Sequence, residues 1–277
     1  MALNVMLSLI GFVMLYYGAE WLVKGSSSLA RSLGVTPIVI GLTVVAFGTS
    51  APELVISLVS SIKDKSMIAV GNVVGSNICN IALVLGLAAV FQPIISDRSV
   101  IKRDIPIMLG ISLYLFVISL DSKLGRLEGA TLLSGIILYT FFNYTVMNES
   151  RERSRGKIVA SEFGFTNIGY ITSRLKQIIL ILVGITGVIA GAQIVVDSAI
   201  KIMTILGVSE KFIGLTIIAF GTSLPELATS VVAALRKEMD ISIGNLVGSN
   251  VFNILSVLGV ASLVKPISIP GGFIESG

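Results

Sequence analysis

Apolar residues fill this chain in long runs, and polar residues gather in short clusters between them. Measured against helix length, the runs predict eight helices, near 4–31, 36–62, 67–91, 103–120, 127–147, 175–205, 210–235 and 240–264. Each approaches or exceeds the roughly 20 residues that carry a helix across hydrocarbon. The strict alternation of a membrane β-barrel strand is absent. One long polar stretch, 148–174, carries Arg151, Glu152, Arg153, Arg155, Lys157 and Arg174. It divides the chain into a first half, 1–147, with helices 1–5, and a second half, 175–277, with helices 6–8.

Composition supports an all-α polytopic membrane protein. Charged residues are 13% and hydrophobic residues 54%, with mean hydropathy +0.95; a soluble domain carries about 25% charge. Twelve lysines and arginines fall in loops on the far side from the N-terminus, the 148–174 stretch included, against six on the N-terminal side. The positive-inside rule then puts the N-terminus outside and 148–174 in the cytoplasm of a multi-pass cell-membrane protein. The net charge of +4 belongs to these loops, and no aromatic-basic patch points to nucleic acid. The partners expected are the lipid bilayer and small ions, with no protein partner implied. Met1-Ala2-Leu3-Asn4 has no basic n-region and the first apolar run is too long for a cleavable signal peptide. Cys79 is the only cysteine and histidine is absent, which excludes an intrachain disulfide, imidazole relays, His-based zinc sites and Ser-His-Asp chemistry. No enzyme activity and no cofactor are expected.

The apolar pattern is interrupted twice in the same way. Gly41-Leu42-Thr43-Val44-Val45-Ala46-Phe47-Gly48-Thr49-Ser50-Ala51-Pro52-Glu53-Leu54 returns as Gly214-Leu215-Thr216-Ile217-Ile218-Ala219-Phe220-Gly221-Thr222-Ser223-Leu224-Pro225-Glu226-Leu227. Glu226 follows Glu53 by 173 residues, as Gly207 follows Gly34, Asn253 follows Asn80 and Pro266 follows Pro93. Over 34–94 against 207–267, 31 of 61 pairs are identical, so the halves are duplicates. The copies lie in helices 2 and 7, an odd step of five helices, which predicts an inverted-topology repeat with its substrate near the midplane.

The chemistry of the repeat suits a hard cation. A carboxylate at mid-membrane costs about 2.5–3.5 kcal/mol on insertion scales and is a functional hypothesis by default. Pro52 and Pro225 withdraw the N–H that the carbonyls of Gly48 and Gly221 would accept, and carbonyls loosened in this way must face protein or a watery cavity. Glu53 and Glu226 add anionic oxygens of the kind calcium takes. A second duplicated motif, Gly71-Asn72-Val73-Val74-Gly75-Ser76-Asn77-Ile78-Cys79-Asn80 and Gly244-Asn245-Leu246-Val247-Gly248-Ser249-Asn250-Val251-Phe252-Asn253, sets Ser76 with Asn80, and Ser249 with Asn253, on one helix face. Its glycines are expected to pack helices, and Asn80 and Asn253 to line a site.

Together these motifs closely resemble the alpha repeats of the calcium/cation antiporter superfamily, above all those of prokaryotic sodium/calcium exchangers, over essentially the whole chain. The resemblance implies ten helices in two inverted sets of five, with ion sites around helices 2, 3, 7 and 8. It implies that Glu53 and Glu226 bind calcium with the carbonyls of Thr49 and Thr222. Sodium sites would add Ala46, Ser76, Ala219 and Ser249, with Ser50, Ser223 and Asn80 nearby. It further implies alternating access by sliding of helices 1 and 6. Two departures stand out. Asn253 occupies a position where many such exchangers carry aspartate. Eight spans are expected instead of ten, so the second repeat is read as truncated after Pro270-Gly271-Gly272, with weaker packing around helices 7 and 8.

Two glutamates are neutralised by one calcium or by two monovalent cations, so exchange is expected; Ser, Thr and carbonyl oxygens and the family resemblance make sodium the expected counter-ion, with protons the competitor. A cation channel and an intramembrane carboxylate protease are the other classes open to two buried carboxylates. Glu20 and Asp197, on helices 1 and 6, are expected to bond to a neighbouring helix or snorkel towards an interface in preference to serving as vestibule charges that attract cations, and Tyr16, Tyr17 and Trp21 to anchor an interface.

Overall fold

A computed structural model describes residues 1–94, 100–155, 171–208 and 219–269. Nine helices of at least twelve residues carry most of these residues: α1 (Ala2–Leu33), α2 (Pro37–Thr49), α3 (Ala51–Ile62), α4 (Ser66–Phe91), α5 (Ile105–Ile118), α6 (Arg126–Arg155), α7 (Arg174–Ile205), α8 (Leu224–Leu235) and α9 (Met239–Val264). They follow the apolar runs closely, with two differences. The run 36–62 is two helices, α2 and α3, bent by 44°. α6 continues to Arg155, so the first part of the polar stretch 148–174 is helical. Of the run 210–235, residues 209–218 lie outside the described residues, and Gly214–Ile218 of the second motif with them. So does the expected end of the second repeat, 270–277.

Four of these helices, α1, α4, α7 and α9, are long and apolar enough to cross a membrane, and α2 with α3 makes a fifth as a broken span. Punctuation follows local chemistry. Gly34 ends α1 at φ 70°, its N–H returning to the carbonyls of Ala30 and Arg31, and Gly207 follows α7 at φ 77°. Both adopt the left-handed conformation that glycine enters without a Cβ penalty. Stretches with π-helical winding occupy Gly41–Val45 in α2, Asn80–Val84 in α4 and Asn253–Leu258 in α9. The turn before α6 and the end of α9 are stitched by a two-residue antiparallel ladder, Lys123 opposite Ser268 and Leu124 opposite Ile267.

α1 and α7 run antiparallel with their backbones nearly touching. A Cβ on Gly18 would lie 2.7 Å from the Val188 nitrogen, and one on Gly184 would lie 2.6 Å from the Leu22 nitrogen. Gly11 meets the Gly191 carbonyl in the same way. Only glycine permits this approach, so the seam is continuous and shallow.

α9 is the best-covered membrane-length helix: 78% of its apolar window is buried, against 28% for α4. This overturns the expectation of weak packing around helices 7 and 8. The physical reason is an exchange between halves. α5 and α6, from the first half, pack on α9 of the second: Gly129 lies against Ser262, Gly135 against Leu255, and Met108 beside Asn250. The sparsely covered helix is α4, where Cβ atoms on Gly71, Gly75 and Gly86 would meet nothing within 4 Å. The packing role expected of Gly244 and Gly248 is realised against Ile38 to Ala46, whereas Gly71 and Gly75 face open space.

Candidate functional site

The broken span builds the site. α3 starts at Ala51 after Ser50, and α8 at Leu224 after Ser223. Pro52 and Pro225 sit in the first turn, where a helix has no partner for the missing N–H. The break therefore falls just ahead of each proline, and the next residue, Glu53 or Glu226, occupies the first turn of the new helix. Both glutamates are 0% exposed. Each keeps one carboxylate oxygen on a hydroxyl: Ser76 Oγ donates to Glu53 Oε1 at 3.4 Å, and Ser50 Oγ donates to Glu226 Oε1 at 3.3 Å.

Hydrogen bonds cross between the duplicated motifs and close the site. Thr49 Oγ1 donates to Asn245 Oδ1 at 3.0 Å and shares a bond with Ser249 Oγ at 3.3 Å. In the matching place, Ser76 Oγ and Thr222 Oγ1 share a bond at 3.2 Å. Asn80 Nδ2 donates to Asn250 Oδ1 at 3.1 Å, and Asn253 Nδ2 donates to Asn77 Oδ1 at 3.0 Å. The structure thus brings together Thr49, Ser50, Glu53, Ser76 and Asn80 with Thr222, Ser223, Glu226, Ser249 and Asn253, all of them buried. Ala46 is also buried in α2. Ala219 opens a short helical turn, Ala219–Gly221, at the border of the described residues.

The residues that orient this shell are asparagines and serines outside the expected ligand set. Asn72 Nδ2 donates to Ser57 Oγ at 2.9 Å and to the Glu53 carbonyl at 3.2 Å, and Asn245 Nδ2 donates to Ser230 Oγ at 3.2 Å. The spacing held the signal: Asn72, Ser76 and Asn80 are four apart, as are Asn245, Ser249 and Asn253, so each trio lines one helix face.

Several oxygens of the site have no partner. Glu53 Oε2, Glu226 Oε2, Asn80 Oδ1, Asn253 Oδ1 and Ser223 Oγ are buried without a hydrogen bond. Buried polar atoms are almost always satisfied, so five orphans from one constellation mark a place for something that accepts oxygen lone pairs. Among the described residues, no three of His, Cys, Asp and Glu gather into a metal cluster. Any cation held here would rely on hydroxyl, amide and carbonyl oxygens beside the two carboxylates.

Comparison with known proteins identifies the arrangement. Residues 3–145 and 176–275 match the family described as sodium/calcium exchanger protein. The chain belongs to the sodium/calcium exchanger family. Its relatives include an uncharacterized membrane protein, MJ0091, of Methanocaldococcus jannaschii, 40% identical over 92% of this chain and 80% of that protein. Another is the sodium/calcium exchanger MaX1 of Methanosarcina acetivorans, 35% identical over 96% and 84%. A solved structure of the sodium-calcium exchanger NCX_Mj, soaked with 2.5 mM sodium and 0.1 mM calcium, superposes with a TM-score of 0.82 at 37% identity, covering 96% of this chain and 83% of that one. Exchanger membership makes this a multi-pass membrane protein of a family of exchange transporters. Within the family frame, Glu20 of α1 is held by Arg236 in a structural ion pair, and Asp197 of α7 is exposed.

Proposed function

We propose that this protein exchanges calcium for sodium across the cell membrane, carrying one buried site from side to side by alternating access. The observation that carries the reading is the set of orphan oxygens, Glu53 Oε2, Glu226 Oε2, Asn80 Oδ1, Asn253 Oδ1 and Ser223 Oγ. A calcium ion takes six to eight such oxygens. The Thr49 and Thr222 carbonyls complete the calcium site. Sodium uses Ser76, Ser249, Ser50, Ser223 and the backbone at Ala46 and Ala219.

The two halves, 1–147 and 175–277, form an inverted repeat of eight spans joined by a cytoplasmic segment, 148–174, with the N-terminus outside. The paired bonds across the site support this: Asn80 to Asn250 and Asn253 to Asn77 are equivalent under the 173-residue offset. The glycine seam of α1 and α7 supports sliding, because no side-chain ridge interlocks the helices at Gly18 and Gly184. An interface of this kind can have two registers of similar energy.

Counter-flow in vesicles tests the reading. Calcium uptake by the reconstituted protein is expected to follow an imposed sodium gradient and to ignore a pH gradient. The opposite result makes it a calcium/proton antiporter, and unitary currents would make it a channel. Glu53→Gln, which keeps shape and removes charge, is expected to lower calcium uptake about 30-fold or more, the scale for losing one partner of a buried charge contact.

A further inference from the structure

The glycine seam between α1 and α7 leaves a furrow along one flank. A Cβ on Gly187 would lie 3.3 Å from Gly18 Cα, so the backbones come close and neither residue fills the space beside the contact. The result is a groove of about 690 Å³, a size that suits one small amphiphile. Its walls include Val13, Tyr17 and Trp21 from α1 and Val183, Gly187 and Ala190 from α7, and none of its lining residues is charged. The Tyr17 and Trp21 rings stand 6.3 Å apart. Thr186 also lines the groove, but its hydroxyl is occupied by the Leu182 carbonyl at 2.9 Å.

Charge begins where the groove ends. Along the antiparallel seam Gly11 faces Gly191, Gly18 faces Gly184, and Gly25 faces Gln177 and Ile181. Trp21 with Leu182 therefore marks one end of the groove, and Val13 with Ala190 the other. Lys24 follows Tyr17 by seven residues and Lys176 precedes Val183 by seven, about two helical turns in each case. Each lysine thus continues one wall of the groove, and both do so beyond the Trp21 end. Among the described residues neither makes an ion pair, and Glu20, the only acid of α1, is engaged by Arg236.

An acyl chain that enters the groove exchanges one apolar surrounding for another, so the groove alone does not choose among lipids. Selection falls to the headgroup. Lysine stems lie along apolar surface and carry their ammonium to the interface, and two ammoniums at one end favour a headgroup of net negative charge over a zwitterionic one. In the proposed topology this end of the seam belongs to the cytoplasmic leaflet, where anionic lipids concentrate. We propose that the α1–α7 groove binds one anionic phospholipid, its acyl chain along the wall from Trp21 to Ala190 and its phosphate on Lys24 and Lys176. The site shares no residue with the buried oxygens between the duplicated motifs, and it goes beyond the exchange reading without depending on it.

Trp21 is the only tryptophan of the chain, so its fluorescence reports on the groove directly. The full chain is reconstituted in phosphatidylcholine vesicles that contain a minor fraction of phosphatidylglycerol, with bromine on the acyl chains of one lipid or of the other. From the quenching of Trp21, phosphatidylglycerol is expected to associate about 5-fold or more tightly than phosphatidylcholine, the scale of one lysine acting on an anionic lipid. Lys24→Gln with Lys176→Gln is expected to bring the two lipids to parity. Lys24→Arg with Lys176→Arg should keep the preference, which separates loss of charge from loss of fold; each variant is compared as monodisperse protein. Ala190→Phe fills the groove and is expected to abolish the preference as well. Equal quenching by the two lipids in the parent overturns the site, and so does a preference that survives in the glutamine pair or in Ala190→Phe. None of these readouts measures ion flux, so the exchange reading stands or falls separately.

Discussion

At the residue scale, the site is a set of buried polar groups that are satisfied on one side only. Asn253 shows the balance: its Nδ2 serves Asn77 while its Oδ1 is left over. Asn253→Ala removes the donor and strands Asn77 Oδ1, so unfolding stability in detergent is expected to fall by about 1–3 kcal/mol. Calcium should also stabilise the variant less, because one orphan oxygen is gone; thermal melts with and without calcium check both effects. Glu20→Gln is expected to behave differently. The Glu20–Arg236 pair is 26% and 41% exposed on its two sides, and ion pairs with that much water contact are worth under about 1 kcal/mol. Its melting temperature should stay close to that of the parent and converge on it in high salt. Glu53, Glu226, Pro52, Pro225, Asn80 and Asn253 were legible in the sequence because each breaks an apolar run and recurs 173 residues on. The orienting partners Asn72 and Asn245 were less so. An asparagine on a small-residue helix face serves packing or a site equally well until the neighbouring helix is in place.

At the element scale, the apolar runs located the helices, and proline located the breaks. The π-helical stretches were not visible, because a fifth-neighbour hydrogen bond leaves no residue signature of its own. Three of them nevertheless include or adjoin site positions: Gly41–Val45 precedes Ala46, while Asn80–Val84 and Asn253–Leu258 begin at the two asparagines. Glycine in a membrane helix was also ambiguous, and the structure sorts it. A Cβ on Gly184 would meet the backbone of α1 at 2.6 Å, and one on Gly259 would lie 3.1 Å from Leu133 Cγ, whereas one on Gly86, the duplicate of Gly259, would meet nothing within 4 Å. Gly184→Ala is therefore expected to push α1 and α7 apart and cost about 1–3 kcal/mol, the range for overpacking. Gly86→Ala should be neutral within about 0.5 kcal/mol, as substitutions away from packed features are. Gly259→Ala should fall between them, since its Cβ would meet Leu133 Cγ, Leu133 N and Leu132 Cβ at 3.1–3.3 Å, less tightly than the 2.6 Å at Gly184. Equal effects at Gly86 and Gly259 in unfolding experiments would contradict the unequal covering of α4 and α9.

At the scale of the molecule, duplication in sequence does not become equality in structure. Matching helices α4 and α9 differ in burial because α5 and α6 cross over to the second half, a long-range choice that no local pattern encodes. Orientation in the membrane, by contrast, is proposed from loop charge. With eight spans, twelve basic residues would fall on one side and six on the other, and the positive-inside rule turns that bias into a proposed sidedness. The single cysteine makes this testable with few changes. Cys79→Ser removes the only native thiol, and new cysteines can be placed one at a time, Lys63→Cys in the turn between α3 and α4 and Ser154→Cys in 148–174. In intact cells an impermeant maleimide is expected to label the cysteine at 63 and to reach the one at 154 only after the membrane is opened. Labelling at 154 in sealed cells, with protection at 63, would reverse the topology. The site would be unaffected, because the two halves enter it through matching motifs, but the α8–α9 turn that holds Glu20 through Arg236 and Ser27 through Glu238 would then face outside. Sidedness thus decides from which side of the membrane α1 is tied to the second half, and labelling reads it directly.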